Sequence, residues 1–169
     1  RFDAGQVVGA AMRVADAQFA AEGIELAAEG EKGRLVVQGS AARLEQAMQH
    51  LLANARDAVL ERRQKEPGAP ARIGVALRRE GRHAVVEVRD SGVGIRAGVA
   101  EAIFDPFFTT KEPGRGIGLG LPFAAGVARA MGGGLEAWNL PGGGACFRLE
   151  LALAEAADAM PDAAGAVAA

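Results

Sequence analysis

Tyrosine is absent from this 169-residue chain, and cysteine occurs once, at Cys146. One thiol excludes an intrachain disulfide and a cysteine-based zinc cluster and fits a reducing compartment, so the cytoplasm is the expected location. Long apolar runs are missing too. The longest uncharged stretch, residues 116–128, falls short of the roughly 17–20 residues a membrane helix needs and includes Pro122, so no bilayer contact is expected. An excess of either charge is also lacking: 19 basic against 21 acidic residues leave no broad positive field for a nucleic-acid backbone, so nucleic acid is excluded as a partner. There is no initial Met and no charged-then-apolar leader, so the chain reads as a piece of something longer.

What is present supports one folded unit. Hydrophobic residues make up 50% of the chain and charged residues 24%, a balance that permits a substantial core. Residues 4–20 place Val7, Val8, Ala11, Val14, Ala15 and Phe19 near helical spacing, and Gly23 stops the pattern. Ile24 to Ala28 and Arg34 to Gln38 are short strand candidates separated by a turn-prone stretch. Ser40 is an N-cap candidate ahead of a long helix with Leu44, Met48, Leu51, Leu52, Ala55 and Val59 on one side. Residues 66–70, EPGAP, break that helix, and two alternating segments joined at Glu80-Gly81 read as an antiparallel hairpin. A short helix near Val99 to Ile103, a helix from about Leu119 to Met131 and strands at Leu135 to Asn139 and Ala145 to Leu153 complete the pattern. The expected organisation is a domain over residues 1–154 and an Ala-rich flexible tail over 155–169. This order predicts an α+β sandwich with helices on one sheet face. It does not fit a Rossmann unit, because DSGVGIRAG is followed by a loop and FDPFF before any long helix.

Three groups of residues carry candidate chemistry. His50, Asn54 and Asp57 fall at i, i+4 and i+7 and share a helix face. The Asn54 amide oxygen suits a hard cation such as Mg²⁺, which takes oxygen ligands from protein, water and phosphate; the same residues also read as satisfied polar positions on a helix surface. Asp90 closes a strand and is followed by Ser91-Gly92-Val93-Gly94-Ile95. Its carboxylate can accept from an exocyclic amine, while Gly92 and Gly94 let backbone approach a flat ring; an ordinary strand-exit turn is the other reading. Gly116, Gly118 and Gly120 free backbone amides ahead of a helix start, an arrangement suited to phosphate. A flexible linker has similar composition, and the Lys-Ser/Thr ending of a P-loop is missing.

In this order the segments resemble the family of sensor histidine kinases, gyrase B, the mismatch-repair protein MutL and heat-shock chaperone ATPases. HLLANARDA (residues 50–58) is similar to the asparagine box, DSGVGI (90–95) to the first glycine box and GRGIGLGL (114–121) to the second. FDPFFTTK (104–111) resembles the phenylalanine box of the histidine kinases. The resemblance covers roughly residues 4–153 and implies a Bergerat-type two-layer sandwich: a mixed, mainly antiparallel five-stranded sheet covered on one face by about three helices. It implies ATP and Mg²⁺ as ligands, Asn54 as the metal ligand, Asp90 as the adenine reader and residues 105–116 as a lid. Asp57, Gly92, Gly94, Ile95, Phe104, Lys111, Gly116, Gly118, Leu119 and Gly120 complete the expected nucleotide site. His50, Asn54, Lys111 and Arg115 are the expected catalytic group, with the two cations supplying charge at the transferring phosphoryl; they read equally as a solvated loop pair.

Hydrolytic relatives carry a glutamate one turn before the asparagine, where this chain has His50, so the resemblance favours phosphoryl transfer over hydrolysis. Ser40 stands where many members have aspartate, His50 replaces a common asparagine, and Ala145 replaces a threonine whose hydroxyl supports a water at the adenine. The expected activity is a protein-histidine kinase of a two-component system. Its acceptor lies upstream of Arg1 on a dimerisation and histidine-phosphotransfer domain, and a response regulator receiver domain takes the phosphoryl group on. His83 reads as a half-exposed strand residue, not an acceptor. The alternatives are an anti-sigma-type serine kinase on the same fold, which FDPFFTTK argues against, and a degenerate ATP-binding or regulatory interaction module.

Overall fold

The computed structural model describes residues 1–30, 33–109 and 118–154. Lys111, Arg115 and Gly116 of the expected site, residues 110–116 of the expected lid, and the expected tail from residue 155 lie outside the described residues.

Strand β1 (Phe2–Asp3) leads directly into helix α1 (Ala4–Ala21). Asp3 caps the helix by accepting from the Gly5 N–H at 3.0 Å, and it also accepts from Leu35 N at 3.2 Å, tying the cap to the segment before β3. Strands β2 (Glu25–Gly30) and β3 (Val36–Val37) follow, then α2 (Ala41–Lys65), capped by Ser40 accepting from Arg43 N at 3.3 Å. The hairpin is β4 (Arg72–Glu80) and β5 (His83–Asp90). A 3₁₀ turn at Ala102–Phe104, helix α3 (Gly120–Ala130) and strands β6 (Leu135–Asn139) and β7 (Ala145–Ala152) complete the described chain.

The main sheet has the order β2-β4-β5-β7-β6; β2 runs parallel to β4 and every other pair is antiparallel. This is the mixed five-stranded sheet expected. Strand β2 does not pair with β3. It joins the sheet beside β4, with Ile24 buried and Leu26 packed on the core, while β3 forms a separate ribbon with β1. Near Val99 to Ile103 the chain makes only the 3₁₀ turn, which has no side-chain cap and no buried residue to hold a longer helix.

Alternation in the strands decides where the helices sit. Ile73 and Val75 of β4, Val86 and Val88 of β5, and Phe147, Leu149 and Leu151 of β7 are buried with Leu44, Met48, Leu51 and Leu52 of α2 and Ala124 and Val127 of α3. The opposite set on the central strands places charged side chains around buried Val85 and Cys146. Glu87 is 3% exposed beneath Arg78 and Arg89, each paired with it at 2.5 Å, and Arg148 stands 3.8 Å away. The sheet therefore has one apolar face, covered by helices, and one face covered by ion pairs. Among the described residues no helix is long and apolar enough to cross a membrane.

Candidate functional site

A cavity of about 680 Å³ opens between α2, the loop leaving β5 and the start of β7, within the range of small-ligand sites. Asn54, Asp57, Asp90, Gly94, Ile95 and Ala145 all line it. The first two arrive on one face of α2, and Asp90 arrives as the last residue of β5, on the helix-covered side of the sheet.

Asp90 is 3% exposed. Its Oδ1 accepts from Gly92 N at 2.8 Å and from Ala145 N at 3.3 Å, while its buried Oδ2 has no partner among the described residues. Burial pushes this carboxyl up to about 6, opposed by the two backbone hydrogen bonds. A buried carboxylate oxygen without a donor is costly, so this one marks the place where an external donor is stabilising.

The loop after Asp90 is pinned from three sides. Val93 N donates to Ala58 O of α2 at 3.2 Å, Arg62 Nη1 donates to Ser91 O at 3.1 Å, and the Ser91 hydroxyl donates to Pro70 O at 2.7 Å. Asn139, at the end of β6, clamps the far end: its Oδ1 accepts from Ile95 N at 2.7 Å and its Nδ2 donates to Ile95 O at 2.9 Å. Sequence reasoning did not find Asn139; an amide closing a strand just before LPGGG was the available signal.

The two glycines of this loop owe their identity to protein contacts. A Cβ on Gly92 would lie 2.5 Å from the Ala58 carbonyl carbon, and one on Gly94, whose φ is +75°, would lie 2.8 Å from Asn139 Oδ1. Gly92 thus permits close approach of the loop to α2, where the sequence reading had assigned it to a ligand's ring. Gly94 combines a left-handed backbone with a place on the cavity wall.

His50 lies one turn before Asn54 and is absent from the cavity wall. Its ring meets Phe123 of α3 edge-on, with centroids 5.4 Å apart, and a Cβ on Gly120 would stand 3.2 Å from its Nδ1. Desolvation pulls the imidazole below its usual range, favouring the neutral form beneath the first turn of α3. Gly118 and Leu119 lead into that turn, and Gly118 O accepts from Phe107 N at 3.0 Å. Among the described residues no side chain caps the start of α3, and a helix start of this kind suits an anion. Phe104 ends the 3₁₀ turn, and its neighbour Ile103 is the one that lines the cavity. Asp57 accepts from Arg56 at 3.1 Å on the same wall. Geometry therefore joins Asn54, Asp57, Asp90, Gly94 and Ile95 in one cavity, sets His50 and Gly120 together beside it, and gives Gly92 to packing.

The family model described as histidine kinase-, DNA gyrase B- and HSP90-like ATPase matches residues 39–155. The chain belongs to this ATPase family. Among curated members, the two-component sensor PprA of Pseudomonas aeruginosa is 44% identical over 140 residues, covering 80% of this chain and 14% of that protein. The sensor kinase CckA of Brucella abortus is 35% identical over 147 residues, covering 83% of this chain and 16% of that protein. The chain thus spans less than a fifth of either relative. The ATPase fold is seen again in the catalytic domain of the histidine kinase ThkA, with a TM-score of 0.75 at 24% identity over 90% of this chain and 93% of that one. The mycobacterial sensor histidine kinase MprB gives 0.73 at 22% identity, over 89% and 96%.

Proposed function

We propose that this domain binds Mg-ATP and donates the γ-phosphoryl group to a histidine on a dimerisation domain outside this chain, for onward transfer to a response regulator receiver domain. The observation that carries the reading is the unpartnered Oδ2 of Asp90, buried at the wall of a cavity that also holds Asn54, in a chain of this ATPase family. The exocyclic amine of adenine supplies the donor that Oδ2 lacks. Ile95, Ala145 and Phe147 flank the base, and the uncapped start of α3, with Gly118, Leu119 and Gly120, faces the phosphates.

Among the described residues no three His, Cys, Asp or Glu side chains converge as a metal cage. An amide donor such as Asn54 fits a magnesium ion that takes most of its ligands from phosphates and water. Magnesium, when bound, supplies charge neutralisation at the transferring phosphoryl. Asp57 stands one turn further along the same helix face, where it can hold a water of that shell. His50, uncharged beneath α3, is placed to orient the first turn of that helix over the phosphates, and Lys111 and Arg115 would supply charge at the transferring phosphoryl group. The chain's task on this reading is positioning and electrostatic stabilisation.

The test incubates the domain with a histidine-bearing dimerisation segment of a relative and labelled Mg-ATP. Acid-labile label on the segment is expected. Acid-stable label would point to a serine kinase, and no label with no nucleotide binding would sink the proposal.

A further inference from the structure

The two oxygens of the Asp90 carboxyl are not equivalent. Oδ1 faces two N–H donors, Gly92 at 2.8 Å and Ala145 at 3.3 Å, so it acts as an acceptor whatever the charge of the group. A proton on this carboxyl must therefore reside on Oδ2, the oxygen with no partner among the described residues. On the same cavity wall the start of β7 supplies a methyl group, Ala145, and a ring, Phe147, and α2 supplies Ala58. Those three residues bring no polar side-chain atom to the wall, and the side-chain amides on it are those of Asn54 and Gln64 on α2. The ionised form presents only an acceptor, and the protonated form presents a donor.

We infer that Asp90 selects the purine by its charge state, the carboxylate taking a 6-amino purine nucleotide and the carboxylic acid taking a 6-oxo purine nucleotide. This rests on the reading that the cavity binds a purine nucleotide. Other charged groups do not obscure the switch. Arg56, Asp57, Glu61 and Lys65 of α2 and Arg96 of the loop lie on the cavity wall, but the Asp90 carboxyl hydrogen-bonds only to the two backbone N–H groups among the described residues. Arg62 is engaged with Ser91 O, Arg72 of β4 with Glu25 at 3.1 Å, and Arg89 of β5 with Glu87 on the other sheet face. Burial places the titration near pH 6, so both forms are accessible to a folded protein.

The experiment measures binding of ATP and of inosine triphosphate, each with Mg²⁺, to the same domain at pH 5 and pH 8. Both nucleotides carry the same triphosphate, so proton and metal effects at that end cancel in the ratio. The ATP-to-inosine-triphosphate preference is expected to fall by at least about 10-fold on acidification, the scale of a mismatched buried polar contact. Asp90→Asn provides the second arm. Its amide keeps an acceptor toward Gly92 and Ala145 and presents N–H to the cavity, so it should show the low-pH preference at both pH values. Thermal unfolding of the variant confirms that it is folded, and the wild-type arm stands without it. A preference for ATP that is equal at the two pH values overturns the inference and leaves the nucleotide reading intact. Binding of neither nucleotide overturns both.

Discussion

Arg56 of α2 donates from Nε to Glu22, the residue closing α1, at 2.6 Å, and its second guanidinium arm reaches the other oxygen of the same carboxylate. This two-point grip fixes the end of α1 against α2 and leaves Nη1 of Arg56 for Asp57 on the cavity wall. Both side chains are about a quarter exposed, 27% and 25%, so water and salt temper the pair. Glu22→Ala is expected to cost about 1 kcal/mol in urea unfolding, with the deficit shrinking in about 1 M salt. A deficit indifferent to salt would assign the effect to packing instead.

Asp90 carries a stability cost. Its folded-state value of about 6 lies above the ordinary 3.8, so the folded state favours the protonated carboxyl. Its contribution is fully present below the ordinary value and is lost as pH rises through 6. Relative to Asp90→Asn, the ligand-free wild type should lose up to about 3 kcal/mol between pH 4 and pH 8. Paired denaturation curves across that range decide it; parallel pH dependences would show that the carboxyl is not strained by burial.

Glu87 behaves in the opposite sense. Its hydrogen bond to Arg78, and then that to Arg89, hold its carboxyl below the usual range. The stability it contributes is present above the ordinary value of 4.5 and is lost as pH falls through the lower folded-state value. Glu87→Gln should cost about 1–2 kcal/mol at pH 7 and much less near pH 3. Equal costs at the two pH values would remove charge pairing as the cause.

Two glycine-to-alanine changes should act in opposite directions. At Gly92 the new methyl meets the α2 backbone at Ala58, and a loss of about 1–3 kcal/mol is expected. At Gly126, within α3, nothing lies within 4 Å of a Cβ, and a gain of about 0.5–1 kcal/mol is expected. Melting temperatures of the two variants that move together would contradict the contact at Ala58.

Asn54→Ala tests the metal assignment. Nucleotide binding in the presence of Mg²⁺ should weaken by roughly 10-fold, while binding in chelator should be unchanged. Calorimetry with a non-hydrolysable analogue reads both. A loss that is equal with and without magnesium would make Asn54 a contact of the nucleotide and not of the metal.

Much of this structure was legible because its signals are local. The helix face from Leu44 to Val59, the hairpin turning at Glu80-Gly81 and the cap at Ser40 each follow from spacing or a side chain within a few residues. Asp90 and Asn54 were visible as polar residues at places where apolar ones were expected. The pairing of β2 with β4 was not legible, since nothing in Glu25 to Gly30 records which distant strand lies alongside. The clamp of Asn139 on Ile95 joins residues 44 positions apart, and the approach of Gly92 to Ala58 depends on how α2 lies across the sheet. His50 was read as part of the site from its helical spacing; its neighbours Phe123 and Gly120 come from a helix 70 residues later.

The ribbon strand β3 touches both ends of the described domain. Val37 pairs with Phe2 on one side and bridges to Leu153 on the other, and Ala154 N donates to Val36 O at 2.8 Å. At the opposite end of β5 and β7 stand Asp90 and Ala145, with the cavity between them and α2. Phe2 and Ala154 thus share one corner of the fold, and the cavity lies at the far end of β5 and β7, roughly 24 Å away by the rise of an eight-residue strand.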